Sequence, residues 1–116
     1  MSRSLNKVEL IGNLGGVPEV RTTADGVRVA TFTLATTRRW TDRDGRLHEK
    51  TEWHKVVAWD QLVMLIERQL RKGDRVYVEG RVEYRSWEDR TGRKRQVTEI
   101  LAREVIPLGA GGHEVE

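Results

Sequence analysis

Residues 50–80 read KTEWHKVVAWDQLVMLIERQLRKGDRVYVEG, and a change of period inside this stretch decides the fold. From Lys50 to Trp59 the pattern has the two-residue repeat of a strand, with Trp53, Lys55, Val57 and Trp59 on one face and His54, Val56 and Ala58 on the other. At Asp60 the repeat lengthens. Leu62, Leu65, Ile66, Gln69 and Leu70 follow helical spacing, Asp60 offers an N-cap, Arg71 and Lys72 suit the last turn, and Gly73 suits the C-cap. A helix of about three turns is predicted. From Val76 to Trp87 the alternation returns, with Val76, Val78, Gly80, Val82 and Tyr84 inward and Tyr77, Glu79, Arg81, Glu83, Arg85 and Trp87 outward.

Working outward, Lys7 to Leu14 has strand period and runs into the glycine-rich segment 12–16, where no Lys-Ser or Lys-Thr follows, so a backbone turn is expected rather than a phosphate-cradling loop. A short extended piece, Pro18 to Thr22, leads to the turn signal Asp25-Gly26 and to a second strand, Val27 to Thr37. That strand turns Ala30, Phe32 and Leu34 to the core and Val29, Thr31, Thr33 and Ala35 to the opposite side. The polar segment Arg38 to Arg46, with Trp40 inside it, reads as a long mobile connection. After the turn Asp89 to Gly92, a last strand spans Lys94 to Val105, and Pro107 is expected to stop the sheet. The order is βββαββ. An all-β chain with one helix between its third and fourth strands matches the OB-fold, a five-stranded, partly open Greek-key barrel whose groove binds oligonucleotides or oligosaccharides. Residues 1–107 are expected to form this single domain and residues 108–116 a short disordered tail.

Composition narrows the function. The chain has 116 residues and no cysteine, and His48, His54 and His113 are far apart, so disulfides, thiolate metal sites, a metal and a cofactor are not expected. No apolar run approaches the roughly 20 residues of a membrane span, and the N-terminus lacks a signal-peptide core. A soluble, cytoplasmic protein without a membrane partner is the expectation. Glu9, Glu52, Glu79 and Glu83 have no histidine or serine at a suggestive spacing, so acid–base catalysis has no constellation and an enzyme is not expected. The 21 basic and 18 acidic residues leave a net charge of only +3. Bulk charge therefore cannot supply affinity for a nucleic acid, and a second term is needed.

The tryptophans can supply it. Trp40, Trp53, Trp59 and Trp87 outnumber the two tyrosines and one phenylalanine together, and they recur beside cations. An indole more often fills a core or an interface, but here Val56, Ala58, Val78 and Val82 already provide a core face opposite them. The pattern suits stacking of unpaired bases. Arg38, Arg39, Lys55, Arg81 and Arg85, joined by Arg3 and Arg21, are the phosphate candidates, whereas Arg71 and Lys72 are read as a solvated helix end. His54, inward by parity, suits either a hydrogen-bonded core position or an interface.

Several blocks in one order resemble bacterial single-stranded DNA-binding proteins: residues 6–8 (NKV), 11–15 (IGNLG), 18–21 (PEVR), 33–36 (TLAT), 51–57 (TEWHKVV), 70–73 (LRKG) and 76–80 (VYVEG). The similarity covers about residues 3 to 107. It implies a homotetramer that wraps DNA, with subunit contacts at Asn6, Lys7, Val8, Leu10 and His54. It also places the base-stacking aromatics at Trp40, Trp53, Trp59 and Trp87, the third more often phenylalanine in relatives. Glu83 departs from that pattern, standing where relatives can carry a base. The resemblance implies roles in replication, recombination and repair, and partner recruitment through an acidic tip ending in phenylalanine. The sequence closes instead on Gly112-His113-Glu114-Val115-Glu116, the end expected of a trimmed or tail-less relative. The alternative is an OB-fold replication-restart or protein-docking module in which DNA binding is secondary.

Overall fold

A computed structural model describes residues 3–110. The chain runs β1 (Val8–Leu14), β2 (Glu19–Thr22), β3 (Arg28–Thr41), β4 (Leu47–Trp59), α1 (Gln61–Gln69), β5 (Arg75–Glu88) and β6 (Lys94–Gly109). The sheet order is β1-β5-β6-β4-β3-β2, and β1 also pairs with β3, which closes five strands into an OB-fold barrel and leaves β2 as a short flank. Closure depends on β1 changing partners: Val8 to Asn13 pair with β5, while Asn13 and Leu14 pair with Ala35 and Leu34. Gly12 stands at this junction, buried, and a Cβ there would run into the Ala35 carbonyl. Only glycine lets the two backbones approach that closely. All pairings are antiparallel except β4 with β6, which meet through Val56–Ile100 and Val57–Leu101.

The core is filled by Leu14, Ala30, Phe32, Leu34, Val56, Ala58, Val76, Val78, Ile100 and Val105, with Val63, Ile66 and Leu70 of the helical segment packed onto it. Burial of these apolar groups is the main stabilising term. The three inward residues expected on the second strand are buried as expected.

The β3–β4 and β5–β6 hairpin turns share one device. In Asp42-Arg43-Asp44-Gly45-Arg46, Asp42 Oδ1 accepts from the backbone N–H groups of Asp44 and Arg46, both at 2.9 Å. In Asp89-Arg90-Thr91-Gly92-Arg93, Asp89 Oδ1 accepts from Thr91 and Arg93 at 2.9 and 3.0 Å. Gly45 and Gly92 both take positive φ. A carboxylate that satisfies two turn donors makes a short, ordered loop. Thr41 therefore still pairs with Leu47, and the connection expected over residues 38–46 shrinks to residues 42–46. Trp40 lies in β3, not in a mobile loop.

Other boundaries also differ from expectation. Asp60 occupies the N-cap position at φ 51° while its N–H stays bonded to the Arg28 carbonyl, and its carboxylate caps no helix N–H. The helix ends at Gln69, with Leu70 already extended, so Arg71, Lys72 and Gly73 lie beyond it and Arg68 is the base of the last turn. Val63, which the spacing passed over, is fully buried, whereas Gln69 is exposed. Strand β6 continues through Pro107, which stands opposite Val76 beside a register shift. There β6 no longer pairs with β4, so the missing proline N–H takes nothing from the β4 side of the sheet. Leu108 and Gly109 thus belong to the strand; residues 111–116 of the expected tail lie outside the described residues. Tyr84 has the inward parity of Val76 and Val78 yet is 68% exposed, because the β5–β6 hairpin has run past the barrel.

Candidate nucleic-acid interface

Directly paired residues of neighbouring strands share a face. On β5 and β6, Arg81 stands opposite Leu101, Glu83 opposite Glu99, Arg85 opposite Val97 and Trp87 opposite Arg95. The parallel pair Val57–Leu101 brings β4 to the same side, with Trp53, Lys55 and Trp59 in its alternation. Three of the four indoles and, from β4 and β5, three of the phosphate candidates therefore occupy one outer face of the barrel, joined by Arg21, which stands opposite Val29, the partner of Trp59. Trp53 is 63% exposed, Trp87 47% and Trp59 44%. A cleft of about 530 Å³ opens on this face, lined by Arg21, Lys55, Trp59, Arg81, Arg85 and Glu99 among others.

The floor of the cleft is an ion cluster. Arg85 donates from Nε to Glu99 Oε1 at 3.2 Å and from Nη2 to Oε2 at 2.9 Å, and Lys55 Nζ lies 2.9 Å from the same Oε2. Glu99 is 4% exposed, the one buried charged side chain among the described residues. The Arg85 hydrogen bond, opposed by desolvation and assisted by Lys55, holds its carboxyl down at about 2. The same contact raises Arg85 above its ordinary value. The sequence reading passed over Glu99, although its outward parity beside Arg85 was available as a signal.

The remaining cations differ in their engagement. Arg81 lies 3.4 Å from Glu83 on its own strand, and Arg39 2.7 Å from Glu49 across the β3–β4 ladder. Arg3 and Arg21 are exposed and have no ion-pair partner among the described residues.

Trp40 stands apart. Counting along the unbroken β3–β4 register, it shares the parity of Phe32 and Leu34, opposite to that of Trp53 and Trp59. It escapes burial, at 39% exposed, because it sits on the projecting end of the hairpin. Its ring stacks on His48, and the Arg38 guanidinium carbon lies 4.5 Å from its centroid. His48 Nε2 in turn donates to Asp42 Oδ2 at 2.7 Å, the leading cause of a lowered Asp42 pKa.

Of the residues singled out for subunit contact, Asn6, Val8, Leu10 and His54 have roles within this chain. The Asn6 side-chain amide donates to the Val82 carbonyl at 2.8 Å and accepts from the Val82 N–H at 2.9 Å, pinning the segment before β1 to β5. Val8 and Leu10 pack partly against the core, and Lys7 is exposed. His54, half-buried, shares a 2.9 Å hydrogen bond between its Nε2 and Thr36 Oγ1.

The model of the single-strand binding protein family matches residues 5–108. The chain belongs to that family. It is 50% identical to single-stranded DNA-binding protein 1 of Chlorobaculum tepidum over 111 residues, covering 95% of this chain and 68% of the relative. It is 48% identical to single-stranded DNA-binding protein 1 of Xylella fastidiosa over 107 residues, covering 91% of this chain and 79% of the relative. Among solved structures, the single-strand binding protein of Plasmodium falciparum in complex with single-stranded DNA superposes with a TM-score of 0.85 at 42% identity, covering 93% of this chain and 98% of that one.

Proposed function

We propose that this chain binds and protects single-stranded DNA with little sequence preference, stacking bases on Trp53, Trp59 and Trp87, and on Trp40 at the hairpin end, and holding phosphates with Arg3, Arg21, Arg38, Arg39, Lys55, Arg81 and Arg85. It serves replication, recombination and repair, acts as a homotetramer through the surface around Asn6, Lys7, Val8, Leu10 and His54, works on the nucleoid in the cytoplasm and catalyses nothing. Residues 1–107 carry the binding.

The observation that supports this reading best is the shared outer face of Trp53, Trp59, Trp87, Lys55, Arg81 and Arg85, drawn from two strands joined by a third, with Trp59, Lys55, Arg81 and Arg85 lining one cleft. Every base has a π-face, so indoles read none of the four in particular, while cations follow the backbone. Family membership and the DNA-bound structural neighbour support it independently. Titration with oligo-dT tests it: binding should deeply quench the tryptophan fluorescence. Replacing Trp53 and Trp87 together by alanine should leave the thermal melt intact and cost about 2–6 kcal/mol of binding, from roughly 1–3 per stacked base. Unchanged affinity in that double variant would refute the assignment.

A further inference from the structure

We infer that Glu99 is a positioning residue for single-strand binding: its buried carboxylate fixes Lys55 and Arg85 on the floor of the cleft, ready to receive phosphate. The inference rests on the DNA-binding reading above.

The geometry leads to it in three steps. First, Lys55 and Arg85 come from different strands, β4 and β5, which are not neighbours; β6 lies between them and supplies Glu99. Both cations bond the same atom, Glu99 Oε2, at 2.9 Å. Two like charges held so close repel each other, and the attraction of both to an anion between them offsets that repulsion. Second, the cluster does not consume its cations. Glu99 accepts through one edge of the guanidinium, Nε and Nη2, and through a single Lys55 Nζ contact, so both groups keep donors for another acceptor. The side chains of Lys55 and Arg85 are 39% and 49% exposed, against 5% for Glu99. The acid is hidden and the bases face the cleft. Third, lysine and arginine are the side chains with most rotamer freedom to lose on binding, and anchoring them beforehand removes that cost. Glu99 thus gives up one unit of attraction to DNA in return for two ordered donors.

Charge and order leave different marks on salt dependence, which makes the inference testable. Affinity of wild type and of Glu99→Gln for oligo-dT is measured over a salt series and extrapolated to about 1 M, where counterion release contributes nothing. Removing the carboxylate charge should steepen the log–log slope by up to about 0.7. Losing the anchor should weaken the extrapolated affinity by at least about fivefold, the equivalent of immobilising two flexible side chains. A steeper slope with unchanged or tighter extrapolated affinity means that Glu99 merely masks charge, and overturns the inference. Should Glu99→Gln fail to fold, Glu99→Asp decides: it keeps the charge but is too short to bridge both bases, so the slope should hold while the extrapolated affinity falls. An unchanged extrapolated value would overturn the inference equally. In wild type the Arg85 Nε–H resonance should be sharp and slow to exchange with water, and this should be lost in Glu99→Gln. A wild-type chain that does not bind oligo-dT at all defeats the DNA reading itself, whereas wild-type binding with an unmoved Glu99→Gln intercept defeats only the anchor.

Discussion

The indole of Trp40 stacks on the imidazole of His48 across the β3–β4 ladder, with ring centroids 5.3 Å apart and planes 17° from parallel. Arg38 also lies on this ring. Trp40 therefore already has a flat neighbour and a cation before any base arrives, whereas Trp53 has neither a ring nor a cation partner among the described residues. A base reaching Trp40 replaces a contact that a base reaching Trp53 adds. Trp53→Ala should cost about 1–3 kcal/mol of oligo-dT affinity and Trp40→Ala less than about 1 kcal/mol. Fluorescence titrations of the two single variants decide the order, and equal losses would show that His48 yields its place freely.

Arg21 lines the cleft without an ion-pair partner among the described residues, so nothing in the free protein competes for it. Arg21→Ala should lower the salt slope of oligo-dT binding by about 0.7, the contribution of one neutralised phosphate on a single strand. Arg39→Ala should lower it less, since Glu49 at 2.7 Å already offsets the Arg39 charge. The pair of slopes, measured in the same buffers, checks both statements.

Parity made much of this architecture legible. The two-residue alternation over residues 50–59 and 76–87 placed Trp53, Lys55, Trp59, Arg81, Arg85 and Trp87 on the side where the structure has them. Alternation cannot tell where a second layer stops covering the face. Tyr84 has core parity and is exposed, and Trp40 has core parity and is exposed, because both hairpins run past the barrel. The turn at Asp89 to Gly92 was expected and residues 38–46 were expected as a long connection, but the tightness of both depends on Asp42 and Asp89 each accepting two backbone N–H groups, which spacing alone does not reveal. Glu99 escaped notice because its significance lies in two partners on other strands, at positions 55 and 85.

Glu99 also links stability to pH. Its carboxyl titrates at about 2 in the folded chain against an ordinary 4.5, so the unfolded chain takes up the proton first as the solution is acidified. The stabilisation is complete above 4.5 and is lost as the pH falls from there towards 2. With the carboxylate buried and its partners half-exposed, the contribution is on the order of 2 kcal/mol. In Glu99→Gln this part of the acid profile should be flatter. Urea midpoints at neutral pH and at successive steps below 4.5 measure the difference, and parallel profiles for the two proteins would contradict the linkage.

Gly15 connects the first strand to the proposed stacking surface. Its N–H donates to the Thr33 carbonyl at 2.8 Å, and a Cβ built on it would lie 2.5 Å from Thr33 Oγ1 and 2.8 Å from Trp53 Cζ3. The indole thus rests against bare backbone. Relief in Gly15→Ala is available through rotation of Thr33 and displacement of the Trp53 ring, both of which are side chains on an outer face, so the barrel should survive with a loss of about 1–2 kcal/mol. The ring's position should not. Gly15→Ala is expected to shift the tryptophan emission of the free protein and to weaken oligo-dT binding, while adding no further loss in a Trp53→Ala background. A double-mutant cycle on the two positions measures that coupling, and additive losses would mean that Gly15 acts on the fold alone.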